Sequence, residues 1–185
     1  MSKVLQYGGI AASVILIAFG IGSVVTGLNG RDRVRDDLKR EQIVGTPDST
    51  IPNQVVDSGS KAEAFAKVMR KPTLEATGGK TYAQLPRYTT KDGKGTNDEK
   101  AALTDAKGKP IDNPLRNLWV QETALTTALN TAYFAESVAT FAIIMGVGLL
   151  LAGVGFLILT LRVLRRFGDS KEREPVTAPK VALSS

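Results

Sequence analysis

The stretch SVATFAIIMGVGLLLAGVGFLILTL, Ser137 to Leu161, places 25 residues between Glu136 and Arg162 without a single charge. At about 1.5 Å of rise per residue, a helix of that length exceeds the roughly 30 Å hydrocarbon core of a bilayer, which takes about 20 residues to cross. It predicts a transmembrane helix over 137–161. A second uncharged run, 27 residues between Lys3 and Arg31, contains GGIAASVILIAFGIGSVVTGL, Gly8 to Leu28. It predicts another transmembrane helix over 8–28, behind a short tail of residues 1–7. Whole-chain averages of 43% hydrophobic residues and a mean hydropathy of −0.03 conceal this segregation.

Two other readings of these runs are weaker. A pair of buried core helices would need more large apolar residues than the rest of the chain supplies. A cleaved signal peptide fits Lys3 followed by an apolar run, but the run is long for such a segment. The exit sequence TGLNGRDR also offers no A-x-A-like cleavage site.

The chain has no cysteine and no histidine. That removes disulfides, thiolate metal sites, cysteine nucleophiles and the usual neutral-pH general base, so zinc chemistry and hydrolytic triads are excluded on residue chemistry. No cofactor and no metal are expected.

With two spans, both termini share one side. Arg162, Arg165, Arg166, Lys171 and Arg173 follow the second span, whereas residues 117–136 contain no Lys or Arg. This contrast places the tail 162–185 in the cytoplasm and residues 29–136 outside, because short tails obey the positive-inside rule better than long connecting domains. Arg31, Arg33, Arg35, Lys39 and Arg40 after the first span point the other way. The tail arginines and lysines also suit anionic lipid headgroups. The end of the tail, PVTAPKVALSS, has little to bury and is expected to be disordered.

The connecting segment 29–113 is polar. The first helix is predicted to continue over 31–44, with Arg33 opposed to Asp36 or Asp37, and to stop at Gly45 and Pro47. Ser60 and Glu63 make an S-x-x-E capping box for a short helix over 60–77 with a kink or break near Pro72. The Gly- and Asp-rich stretches around AALT suit a small hairpin or irregular loops. Asn113 and Pro114 then signal the start of a helix running to about Arg166, of which 114–136 stands clear of the bilayer. The expected fold class is mainly α: two transmembrane helices extended into an extracytoplasmic helical stalk, with a small irregular cap.

Small residues mark candidate helix-packing faces. Small-x-x-x-small pairs are Gly8 with Ala12, Gly9 with Ser13, Ser23 with Gly27, Ala142 with Gly146, and Gly148 with Ala152; Gly153 and Gly155 follow seven residues on. They are expected to serve packing within the chain or between chains, the remaining alternative being incidental glycine. Glu136 beside Tyr133 reads as a water-interface residue at the mouth of the second span. Gly78-Gly79-Lys80-Thr81 has the ending of a phosphate loop, but Leu74 stands where its first glycine belongs. Residues 29–134 carry 17 basic and 14 acidic side chains, a net of +3, and this interspersed charge argues against nucleic acid as a partner.

The phrases LEATGGKTYAQLPR (Leu74 to Arg87) and NPLRNLWVQETALTTALNTAYFAESVATF (Asn113 to Phe141) resemble a group of uncharacterised actinobacterial two-span integral membrane proteins. The resemblance implies the same two-span architecture and no mechanism. Some of that group carry a label as aromatic ring-opening dioxygenases. Such enzymes hold a non-haem iron largely through histidine, and this chain has none. The expected function is non-enzymatic: a cell-membrane scaffold, accessory subunit or homo-oligomer, with the bilayer and itself or another membrane protein as partners. The alternatives are a channel or transporter component and, behind it, a membrane-anchored enzyme.

Overall fold

The computed structural model describes residues 2–171, and side chains over 7–162. Among the described residues three α-helices form: α1 (Ser2–Arg40), α2 (Gly59–Ala76) and α3 (Pro114–Lys171), with single 3-10 turns at Tyr82–Gln84 and Glu99–Ala101. The fold class is mainly helical, and α1 and α3 are each long and apolar enough to cross a membrane. Neither contains an interior proline, and Pro114 occupies the first helical position, where its missing N–H costs nothing. Arg165, Arg166, Lys171 and Arg173 lie outside the residues whose side chains are described, as does the tail expected to be disordered.

The chain divides into two compact units, Met1–Gly27 with Phe141–Ser185, and Leu28–Thr140. In the first unit α1 and α3 run antiparallel: Gly9 meets Thr160, Ile17 meets Gly153, and Gly20 meets Gly146 and Leu150.

The second unit is built on one apolar cluster. Leu38 of α1, Ile51 and Val56 of the following turn, Ala62 and Ala66 of α2, and Leu129 of α3 are all buried in it. Val34, Ile43, Phe65, Met69 and Ala132 pack around them. Contributions from every helix mean that no single element of this unit buries its apolar face alone.

Several local expectations are corrected here. Helix α1 ends at Arg40, ahead of Gly45, because Gln42 takes a positive φ of 51° and the chain enters a folded turn. In that turn Val56 N–H donates to the Ile43 carbonyl at 2.8 Å and Gly45 N–H to the Gln54 carbonyl at 2.9 Å. Gly45 has no room for a side chain, since a Cβ would run into the Ile51 carbonyl. Along α1 the ion pairs are Asp36 with Lys39 (3.5 Å) and Asp37 with Arg40 (3.2 Å), not pairs made by Arg33.

Helix α2 starts two residues earlier than the S-x-x-E pattern implies. Its N-cap is Ser58, whose side chain makes no capping bond, and Glu63 pairs instead with Lys67 at 2.9 Å. The helix runs unbroken through Pro72, with Ala66 and Thr73 buried on either side of it. Packing on both flanks offsets the one backbone bond that proline removes. The helix ends through Gly78 and Gly79, at φ +62° and +77°, and Gly79 N–H reaches back to the Leu74 carbonyl at 2.7 Å. The glycines of the GGKT phrase are thus a helix stop. Around AALT no strand forms among the described residues; isolated bridges join Tyr88 to Thr96 and Asp112, and Thr104 to Pro110.

The turns of this unit depend on aspartates whose carboxyls are held below the ordinary aspartate range. Donation from Lys61 does this for Asp57, from the Thr46 side chain for Asp48, and from the Thr90 side chain for Asp92. A carboxyl lowered by folding stabilises the fold above its unfolded pKa, about 3.9, and that contribution fades as pH falls through the depressed value. Amide protection factors in residues 46–57 and 90–95 are therefore expected to stay level from pH 8 to 5 and to drop only below about pH 4. Loss of protection already at pH 6 would point to some other group.

Candidate functional site

The close approach of α1 and α3 in the first unit is made by glycine. A Cβ on Gly146 would stand 2.8 Å from the Gly20 carbonyl oxygen and 2.9 Å from Val24 N, and one on Gly153 would stand 3.1 Å from Ile17 N. Backbone touches backbone. The small residues on this seam recur every seven positions, Ser13, Gly20 and Gly27 on α1 and Gly146, Gly153 and Thr160 on α3. That interval keeps one face of each helix against the other. Ser13 is fully buried, and its hydroxyl donates to the Gly9 carbonyl at 2.8 Å, so no polar atom of that side chain is left bare in the seam.

The candidate packing residues therefore separate into two sets. Gly9, Ser13, Ser23, Gly27, Ala142, Gly146 and Gly153 are buried or half-buried. Gly8, Ala12, Gly148, Ala152 and Gly155 are exposed, and a Cβ on Gly8, Gly148 or Gly155 would meet nothing within 4 Å, so these do not pack within the chain. Two of the five small-residue pairs, Gly8 with Ala12 and Gly148 with Ala152, face away, because a four-residue interval says that two residues share a face and not which face that is. Gly20 escaped the four-residue search altogether. Beside it, Ala18, Phe19, Gly22, Ser23, Thr26 and Ala142 line an open groove of about 460 Å³.

Glu136 is not a solvent-facing interface residue. It is buried in the second unit, where its Oε1 accepts from Arg35 Nε of α1 at 2.7 Å and its Oε2 accepts from the Gly59 backbone N–H at the start of α2. One carboxylate of α3 thus neutralises an arginine and caps another helix, the task Ser58 leaves undone. Gly59 permits this because its own Cβ position lies 2.9 Å from Tyr133 Cα. No sequence interval announces it: the partners are 101 and 77 residues away.

At the first turns of α3 the two phrases 74–87 and 113–141 come together. Trp119 is buried and donates from Nε1 to the Lys80 carbonyl at 3.0 Å, with the Arg70 guanidinium 5.1 Å from its ring centre. Asn113 Oδ1 accepts the Leu115 N–H at 3.0 Å and its Nδ2 donates to the Pro86 carbonyl at 3.0 Å. Arg116 lies 4.0 Å over the Tyr82 ring and donates to the Leu85 carbonyl at 3.2 Å. Asn113→Ala removes the cap and the contact to the Pro86 carbonyl at once and is expected to cost about 1–2 kcal/mol of unfolding free energy, with Asn113→Asp losing about half of that. Chemical denaturation of the full chain in detergent measures it.

No family model, no characterised protein and no solved structure matches this chain. Among the described residues no group of three or more acidic side chains converges where a metal ion could be held. Beside Arg116, the side chains of Tyr82, Arg87, Tyr88, Asp112 and Asn117 edge a cavity of about 320 Å³ that the sequence reading did not single out.

Proposed function

We propose that the chain is a two-span protein of the cell membrane that acts by helix contact, as a scaffold, an accessory subunit or a homo-oligomer, and not as an enzyme. One observation carries this reading: in the first unit the two helices meet through Gly20, Gly146 and Gly153, while the large apolar side chains face outward. Only 11% of the most apolar stretch of either long helix is buried, and Phe19 and Leu151 are 68% and 71% exposed. A helix of a water-soluble core would bury that face; lipid acyl chains cover it without loss. The outward Gly8, Gly148 and Gly155, together with the open groove along Ala18 and Gly22, give a further helix places of close approach. The absence of histidine and cysteine supports the non-enzymatic side of the reading.

The two-span actinobacterial proteins that the sequence resembles would share this architecture, with both termini in the cytoplasm and residues 29–136 outside. In that arrangement the outer turns of α1 and α3 form the stalk, and the segment between them the cap.

Two experiments test it. Chemical crosslinking after mild detergent extraction is expected to yield a homo-oligomer or a co-purifying membrane protein; a strict monomer with no companion overturns the reading. Because the native chain lacks cysteine, single cysteines at Lys94 and Ser170 report orientation through an impermeant thiol reagent on whole cells. Labelling at Lys94 alone is expected, and labelling at Ser170 alone reverses the topology.

A further inference from the structure

The cavity at the start of α3 lies wholly within the Leu28–Thr140 unit, and what it binds is independent of membrane insertion. Its polar rim is largely unengaged. Among the described residues, the side chains of Tyr82, Arg87, Tyr88, Asp112 and Asn117 make no hydrogen bond or ion pair with the protein, although Arg87 and Arg116 border the same space as Asp112. The helix N-terminus itself contributes nothing here, since Asn113 accepts its first free N–H groups through Oδ1 and its backbone carbonyl.

We propose that this cavity is a binding site for an acidic sugar, a polyol ring bearing one carboxylate or phosphate. Two guanidiniums against one carboxylate leave a net charge of +1, which favours an anionic ligand over a neutral or cationic one. Arg116 is already oriented by the Tyr82 ring and the Leu85 carbonyl, so its remaining N–H groups are fixed before the ligand arrives. Asp112 only accepts hydrogen bonds when ionised, and it calls for hydroxyl donors that a bare anion lacks. A neutral sugar would satisfy Asp112 and leave both arginines unused. The Tyr88 ring supplies a flat face for a pyranose, and the phenol hydroxyls of Tyr82 and Tyr88 supply partners for its edge. A volume of about 320 Å³ suits one ring and not a chain of them.

Titration calorimetry of the full-length protein in detergent micelles decides it, with glucuronic acid and glucose 1-phosphate as probes and glucose, acetate and inorganic phosphate as controls. Saturable binding of either acidic sugar is expected, with glucose and the two bare anions at least about tenfold weaker. Arg87→Gln and Arg116→Gln should each weaken binding by about tenfold or more, whereas Asp112→Asn should chiefly erase the preference for the sugar over phosphate. Arg87 is the safeguard, because its guanidinium holds nothing in the fold and its loss cannot act through misfolding. The proposal fails if neither acidic sugar binds, if inorganic phosphate binds as tightly as the sugars, or if Arg87→Gln binds unchanged. A short acidic peptide outcompeting both sugars would equally overturn it, in favour of a protein partner.

Discussion

Gly146→Leu is expected to force α1 and α3 apart in the Met1–Gly27 with Phe141–Ser185 unit, at about 3 kcal/mol or more of pairing free energy. The added Cβ alone would lie 2.8 Å from the Gly20 carbonyl oxygen and 2.9 Å from Val24 N, both main-chain atoms that cannot rotate away. Leucine adds three further carbons to a gap that does not hold one. Gly148→Leu is the matched control: its Cβ meets nothing within 4 Å, so it should change pairing within the chain by less than about 0.5 kcal/mol. A built-in reporter is available. A Cβ on Gly9 would stand 3.6 Å from Thr160 Cβ, close to the roughly 3.8 Å of a disulfide, so the Gly9→Cys, Thr160→Cys pair should oxidise readily within the chain. Adding Gly146→Leu should suppress that crosslink and adding Gly148→Leu should not. Equal crosslinking in both backgrounds would mean the helices do not meet through glycine.

Glu136→Ala should lower the stability of the Leu28–Thr140 unit by about 2–3 kcal/mol. The substitution strips the acceptor from Arg35 and from the Gly59 N–H together. A fully buried pair would lose more; Arg35 keeps 36% of its side chain exposed against 11% for Glu136, and water takes up part of the loss. Glu136→Gln keeps an acceptor for Gly59 but not the charge, and should fall about halfway. Arg35→Met with Glu136→Met removes both charges, yet leaves the Gly59 N–H without an acceptor, and should not recover full stability. The single tryptophan, Trp119, is buried in this unit, so its fluorescence during thermal unfolding follows all four proteins. An unfolding midpoint for Glu136→Ala equal to that of the native chain would remove Glu136 from the framework.

The long helices were legible because their signal is local and long. An uncharged run of 25 or 27 residues leaves little choice of conformation, and Asn113 with Pro114 marks a helix start within two positions. Helix α2 was legible in extent for the same reason, through AFAKVMR and the glycines behind it. Its cap was not, since S-x-x-E looks only three residues ahead whereas the acceptor is Glu136. The seam is half legible: the small residues stand out, but the four-residue interval does not say which pairs face the partner helix, and it passes over Gly20. The cavity residues were illegible individually. Arg87, Asp112 and Arg116 read as surface charge until the strap 80–88 is laid along α3, and only packing does that.

The capping of Gly59 by Glu136 also fixes an order of events during synthesis. Arg35 and the whole of α2 leave the ribosome well before residue 136, and until then the first turn of α2 has neither a side-chain cap from Ser58 nor its carboxylate from α3. Contacts separated by 77 and 101 residues close last and slowly, because the intervening chain must first be ordered. A chain interrupted before Leu129 therefore presents an uncapped helix, an unpaired arginine and an incomplete apolar cluster, all open to a protease, so such truncated products should be short-lived while the finished chain is not.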